Sequence, residues 1–288
     1  MESGKLETRL GPLAWQSSGT GPAIVFYAGA LANHDLWRDV ITPLKDRYRC
    51  VTVDLPLGAH PWPLHQGADR SATSLARLIP DSLELLDVHD ATVVVNDTAG
   101  GLLLLSLASG HPALDRIGRL VLTNCESYEH FPPESLRMAA RMCRLVPGLA
   151  AAGLRLQARR VLRSPEARRK GTASVAATEI DDARAASFAE PPLRDRRVSG
   201  DLVAALAGCR PQLMLDAARE IPRFTQPVLL VWGTECGFFP VAHAERLAAD
   251  FPRATLITVP GAKAWVPVDN PAAVATAITN FVPAAPVR

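Results

Sequence analysis

The residue most ready for chemistry is Asp97, in the run VVVNDTAGG (residues 93–101). The three valines read as the end of a buried strand, and Ala99, Gly100 and Gly101 open a helical stretch. A carboxylate at such a break is presented at a helix N-terminus, where free backbone N–H groups favour an anion. A sharp strand-to-helix turn also needs small neighbours. Two frames compete. With Asp97 as the presented residue, Val95 and Ala99 flank it at two residues either side. With Thr98, the flanks are the smaller Asn96 and Gly100. An Asp that simply caps the following helix is the plain alternative.

A carboxylate nucleophile forms an ester with its substrate. Turnover then needs a base to activate water, normally a His held by a second carboxylate. The chain has seven histidines. His34, in ALANHDLW (residues 30–37), is the first candidate to face a pocket. His130 sits where a helical stretch begins, and His60 and His65 lie in a loop. His89, His111 and His243 read as helix-end or surface residues. Alternatively, an apolar pocket raises the pKa of Asp97 and the residue shuttles protons as a general acid and base.

The elements that must position these groups are readable. Residues 23–29, 49–56, 91–96, 119–125, 227–233 and 254–260 are nearly continuous in Val, Leu and Ile. Parallel strands covered on both faces read this way. Helical patterns lie between them, at residues 74–87, 100–109, 241–250 and 272–281. Strand and helix in alternation predict an α/β doubly wound sheet. Residues 6–17 have the alternation of a leading antiparallel hairpin. The alternation stops at residues 128–222, which show helical spacing and no convincing strand; AEPPLRDRR (residues 189–197) turns the chain there. The predicted division is a core of residues 1–127 plus 223–288, with residues 128–222 as a helical cap over the carboxyl edge of the sheet, where ligands bind in open α/β sheets.

The totals bound the partners. With 48% hydrophobic residues, 288 residues can build a sizeable core. A net charge of +2 gives no global argument for nucleic acid. No apolar run is long enough to span a bilayer, and MESGKLETRL is too charged for a signal peptide. Five cysteines without paired spacing do not suggest a disulfide framework, so a cytoplasmic location is expected. His and Cys show no metal-ligand spacing and no Gly-rich phosphate loop follows the first parallel strand, so no metal or cofactor is expected. The first half of the cap is basic. Arg137, Arg141, Arg144, Arg155, Arg159, Arg160, Arg163, Arg168, Arg169 and Lys170 face only Glu166. This is a solvated helical face, or a docking surface for an acidic carrier protein or an anionic substrate. Nucleic acid is disfavoured because no aromatic residues interleave the arginines.

NDTAGG is similar to the Asn-Asp-Thr-Gly-Gly elbow of bacterial α/β-hydrolases. VTVDLPLGAHPWP, LVLTNCESYEHFPP, VLLVWGTECGFFP and VPGAKAWVPVDNP match further blocks of that superfamily in the same order. The chain resembles its haloalkane dehalogenase and epoxide hydrolase branch, over nearly its whole length. The resemblance implies an α/β-hydrolase fold, with Asp97 as the elbow residue and the backbone N–H groups of Thr98 and Ala30 as oxyanion donors. It implies an apolar pocket lined by Leu31, His34, Glu126, Cys236, Phe238, Ala264 and Trp265. The chain departs from the branch at the working positions. Ala264 stands where the base His is expected. Cys236 stands at the acid position after the seventh strand, with Glu235 one residue early. The alternative acid position, after the sixth strand in TNCES (residues 123–127), offers Asn124, with Glu126 two residues on as the candidate second carboxylate, and the His-Gly pair of the oxyanion loop reads Ala28-Gly29. The Trp that holds a leaving halide is replaced by Thr98, and no Tyr lies in the body of the cap to activate an epoxide.

Three readings stay open. The first is a cofactor-free enzyme of isomerase, cyclase or lyase type, acting on a hydrophobic small molecule through Asp97; secondary metabolism enters by analogy. The second is an Asp-nucleophile hydrolase inactivated by a His-to-Ala change at Ala264. The third is a small-molecule-binding pseudoenzyme.

Overall fold

The computed structural model describes residues 1–283. The apolar runs form eight strands: β1 (Glu2–Thr8), β2 (Gly11–Ser18), β3 (Ala23–Tyr27), β4 (Arg49–Asp54), β5 (Ala91–Asp97), β6 (Ile117–Cys125), β7 (Val228–Gly233) and β8 (Ala254–Val259). They make one sheet in the order β1-β2-β4-β3-β5-β6-β7-β8. β1 and β2 are the expected hairpin, and β2 runs antiparallel to β4; every other pairing is parallel. β5 and β7 are buried at every position, which is why their sequences do not alternate.

Chain order places the site. From β3 the chain moves outward to β4, then returns past β3 to β5. The connections on the two sides of β3 therefore diverge, and a crevice opens at the carboxyl ends of β3 and β5. Tyr27 pairs with Val95, so Ala28–Ala30 leave β3 directly beside Asn96 and Asp97. The helix Thr98–Leu107 follows β5 and is buried from Thr98 to Ser106, apolar all round as a central core helix must be.

The helix expected over residues 74–87 is two, Ala72–Ala76 and Leu78–Leu85. Pro80 lacks the N–H that would bond the Ala76 carbonyl, and the first helix ends there. Between β6 and β7 the chain is helical, without a strand, through Arg137–Leu145, Pro147–Val161, Pro165–Thr172, Asp182–Ala189, Pro191–Arg194, Arg196–Gly208 and Pro211–Ala218. The turn expected at residues 189–197 contains the short helix Pro191–Arg194, and Asp195 caps the next one. Polar ties fix this segment to the sheet side. Asp201 accepts from Arg70 Nε at 2.6 Å and Leu64 N at 2.9 Å, and pairs with His60 Nε2 at 3.1 Å. Asn33 exchanges two hydrogen bonds with Ser187. All five cysteines are free and buried. Among the described residues, no helix is long and apolar enough to cross a membrane.

Candidate active site

Asp97 is the strained residue of the turn, at φ 55°, ψ −131°. A non-glycine residue there costs on the order of 1–3 kcal/mol, and persists only where the surroundings over-determine it. They do so by close approach. A Cβ on Gly29 would lie 2.4 Å from Asp97 Cβ, and one on Gly100 would lie 2.3 Å from Cys125 Cβ. The frame is therefore Asp97, and the small residues that permit it are Gly29 on the facing loop and Gly100 three residues on.

The hydrogen bonds of Asp97 are not those of a helix cap. A cap accepts from the second or third residue of the helix. Asp97 Oδ1 accepts instead from its immediate neighbour Thr98 N at 2.6 Å, from Ala30 N across the crevice at 3.1 Å, and from Thr98 Oγ1 at 2.9 Å. The two backbone donors are the pair expected at an oxyanion site. Among the described residues Oδ2 makes no hydrogen bond. Asp97 lines a cavity of about 310 Å³, roofed by the helical segment and almost wholly apolar. Burial raises its pKa, against the lowering effect of the three donors on Oδ1.

Glu126 follows β6 and reaches the same cavity. It is 2% exposed. Its Oε1 lies 3.3 Å from Thr98 Oγ1, and its Oε2 is buried without a partner. Gly101 makes room for it, since a Cβ there would meet Oε2 at 3.0 Å. Burial, and then the Asp97 charge, push its pKa well above the ordinary range. The two carboxyls thus differ in support. Asp97 gathers three donors on one oxygen and is the better anion; Glu126 has one distant hydroxyl, and burial with the Asp97 charge pushes its pKa well up. Thr98 has a single proton to give. Its proton can go to Asp97 Oδ1 at 2.9 Å or to Glu126 Oε1 at 3.3 Å; when Glu126 itself carries a proton, a chain Glu126 O–H, Thr98 O–H, Asp97 carboxylate is open to the trio.

The structure brings Ala30, Leu31, Asp97, Thr98, Glu126, Phe238 and Trp265 to one cavity. It does not bring His34 there. His34 Nδ1 pairs with Asp54 Oδ2 at 2.9 Å, its backbone N–H donates to Asp54 Oδ1, and the ring faces a separate cavity beside Trp15 and Trp62. The expectation that it faces the Asp97 pocket is corrected accordingly: the carboxylate ending β4 turns the ring away. Cys236 and Ala264 lie behind the cavity wall. Cys236 Sγ accepts from Phe239 N, and burial raises its thiol to about 11. Ala264 is fully buried, and its carbonyl accepts from Asn96 Nδ2 at 2.8 Å. Asn124 bridges β6 and β7 by exchanging hydrogen bonds with the Gly233 backbone, which occupies its side chain in the sheet. Glu235 is exposed.

Other expectations shift too. His243 lies in the first turn of the helix Val241–Asp250, the helix-end position expected, but it is buried and packs edge-on against His130. Scattered in sequence, Glu129, His130 and His243 converge in space, with ligand-capable atoms within 4.8 Å of one another. This trio lies outside the cavity, and Arg246 engages Glu129 Oε2 at 3.2 Å. The three tyrosine hydroxyls are bonded elsewhere, to Ser82, Val282 and Asp250. Among the described residues, no imidazole lines the cavity that holds Asp97.

Comparison with known proteins gives consistent neighbours. The family profile for the alpha/beta hydrolase fold matches residues 22–271. The chain is similar to haloalkane dehalogenase 2 of Mycobacterium tuberculosis, 29% identical over 285 residues, covering 96% of this chain and 93% of that protein. It is also similar to the pimeloyl-[acyl-carrier protein] methyl ester esterase of Vibrio vulnificus, 25% identical over 252 residues, covering 83% and 86% of the two chains. In fold it resembles an alpha/beta hydrolase fold protein from Burkholderia ambifaria, at a TM-score of 0.78 and 22% identity, covering 96% of this chain and 97% of that one.

Proposed function

The chain belongs to the alpha/beta hydrolase fold family, and from that premise we propose an enzyme whose buried carboxyl pair moves protons on a hydrophobic small molecule. One observation carries the reading. The Thr98 hydroxyl stands 2.9 Å from Asp97 Oδ1 and 3.3 Å from Glu126 Oε1, in an apolar cavity without an imidazole among the described residues. A carboxylate desolvated in this way is a strong base, and its unengaged Oδ2 takes a proton from an acidic C–H. The same oxygen returns the proton to a second atom of the substrate, so Asp97 ends as the carboxylate it began as, while the Thr98 hydroxyl, with Glu126 behind it, steadies that carboxylate through Oδ1. Taking a proton at one atom and delivering one at another is the chemistry of double-bond isomerisation, ring closure and elimination. None of these needs water activated by His.

The test uses 5-nitrobenzisoxazole, a flat apolar probe that opens when a base removes its ring C–H proton. The N–O bond breaks, and a coloured nitrile phenolate forms. The wild-type protein should turn it over, and Asp97→Asn should slow it by about 10²–10⁴-fold. The hydrolysis panel is 4-nitrophenyl butyrate, 1-bromohexane and styrene oxide in ¹⁸O-water, and no labelled product should accumulate. Asp97→Asn as fast as wild type, or multiple-turnover hydrolysis of the panel, overturns the proposal.

A second reading is supported by the two backbone N–H groups on Asp97 Oδ1 and by the hydrolase relatives. In it Asp97 is a nucleophile stranded by Ala264. It expects a stable ester on Asp97 after 1-bromohexane, seen as an intact-mass increase, and hydrolysis restored by Ala264→His. Binding of a hydrophobic ligand that Asp97→Asn leaves unchanged, with no turnover of any probe, marks the pseudoenzyme instead.

A further inference from the structure

The roof of the cavity has an outer face that the proposed chemistry does not use. Seven of the twelve exposed large hydrophobic residues fall between residues 138 and 162: Met138, Met142, Leu145, Val146, Leu149, Leu156 and Leu162. In the helix Arg137–Leu145, Met138, Met142 and Leu145 stand at i, i+4 and i+7, one stripe. In the helix Pro147–Val161, Leu149 and Leu156 are seven apart and share a face. Met138 is 67% exposed, Leu149 66% and Leu145 63%. The opposite sides of these helices are occupied, with Ala140, Cys143, Ala151 and Ala158 buried.

The charge on this face is one-sided. Residues 137–163 contain seven arginines and no acidic residue. Among the described residues none of the seven forms a salt bridge, whereas Arg38, Arg70, Arg116, Arg119, Arg168, Arg184, Arg194 and Arg197 elsewhere all do. Of the seven, Arg155 bonds Ser199 Oγ, and Arg137 bonds a backbone carbonyl. The other five, Arg141, Arg144, Arg159, Arg160 and Arg163, are exposed, and with the exposed Met and Leu of the same segment they form an amphipathic surface.

We infer that this face docks on an anionic lipid bilayer. The charge complementarity selects the occupant. A second copy of the chain, seated face to face, would set arginines against arginines. An acidic protein would satisfy the guanidinium groups, but it would need an apolar patch matched to the Met and Leu stripe as well. Anionic headgroups satisfy the arginines through paired N–H donors to phosphate, and the acyl boundary takes the apolar side chains. Ala139 of the first helix and Leu154 and Gln157 of the second line the Asp97 cavity, as does Leu136 just before the first. A bilayer against the outer face therefore lies about one helix thickness from the cavity.

The test is flotation of the full chain with vesicles of phosphatidylcholine alone, or of phosphatidylcholine with phosphatidylglycerol. Binding at least tenfold tighter to the anionic vesicles is expected, and salt should weaken it. Arg141→Gln with Arg144→Gln and Arg160→Gln should weaken binding by about a hundredfold, near fivefold per charge. Met138→Ser with Leu145→Ser and Leu149→Ser should also release the protein from the vesicles. All six side chains point outward, so thermal unfolding of both triple variants should match wild type. The wild type alone already decides: equal binding to both vesicle types, or none, overturns the inference. So does a concentration-dependent dimer that the serine variant dissolves, or binding of an acidic acyl carrier protein by a chain that ignores vesicles.

Discussion

Replacing Glu126 by Gln should make the protein more stable as the pH rises, by an amount the burial of the carboxyl fixes. Glu126 has one weak hydrogen bond and one oxygen without a partner. Burial first, then the Asp97 charge, hold its pKa well above the 4.5 of a free glutamate, against the opposing bond from Thr98. In the unfolded chain the group loses its proton near that ordinary value; in the fold it keeps it. Between the two, the native state binds a proton that the unfolded state has released, so stability falls with rising pH. The contribution is complete below the unfolded value and is lost progressively up to the folded one. Its slope is about 1.4 kcal/mol per pH unit. Glutamine does not titrate, so this slope vanishes in the variant.

The assay is urea unfolding of wild type and Glu126→Gln at about pH 4, 5, 6 and 7, with ΔG taken by linear extrapolation. Any constant difference between amide and acid is visible at the lowest pH and subtracts out. Above about pH 4.5 the variant should gain on the wild type by about 1.4 kcal/mol per pH unit, until Glu126 ionises in the fold. Parallel curves would refute a buried neutral acid. A wild type that gains on the variant with pH would mean that the fold stabilises the Glu126 anion, and the proton chain through Thr98 would fall with it.

Thr98→Val removes one of three donors from Asp97 Oδ1 and the hydroxyl that stands beside Glu126 Oε1. The acid limb of the rate profile with 5-nitrobenzisoxazole should move to higher pH, and Thr98→Ser should leave it in place; a limb unmoved by valine refutes the bridge. Gly100→Ala adds a methyl 2.3 Å from Cys125 Cβ. Overpacking of about 1–3 kcal/mol or more outweighs the roughly 1 kcal/mol that alanine gains in a helix, so urea unfolding should show net loss. His34→Ala should leave turnover of the probe unchanged, because the ring faces another cavity. Burial opposes the His34 charge, but the hydrogen bond and charge of Asp54 outweigh it and the pKa is raised. Its stabilising contribution is complete below the unfolded value of 6.5 and lost as pH rises through the folded one, so the variant should lose more stability at about pH 5.5 than at pH 8. Equal losses would refute the pair.

The strands and the helical roof were legible because burial on both faces leaves a local mark. β5 and β7 are unbroken apolar runs, and the roof is where such runs stop. The frame of the elbow was not legible locally. Flanking sizes favoured Thr98, yet the crowding that decides the matter comes from Gly29, on a loop 68 residues earlier, and from Cys125 on the next strand. His34 failed for a related reason. Its ring direction depends on Asp54, which ends a strand twenty residues on, and no periodicity reports a pairing of that kind. The convergence of His130 and His243, 113 residues apart, is invisible to spacing for the same cause. Glu126 could be found, since it follows an apolar strand that ends beside the elbow.

Ala264 shows how the site can keep its shape while its chemistry changes. The loop that carries it is fixed to the elbow by its own backbone, through the Ala264 carbonyl and Asn96 Nδ2 at 2.8 Å. Trp265 N is bonded in turn to the Val175 carbonyl of the roof. Neither bond involves the side chain at position 264. The strained angles of Asp97 depend on Gly29, Gly100 and the donors of Ala30 and Thr98, not on an imidazole. A fold built this way holds its carboxylate in place whether or not a base stands opposite. In the proposed reading, what changes without that base is the fate of the proton, and Glu126 behind the Thr98 hydroxyl helps to hold the carboxylate that moves it.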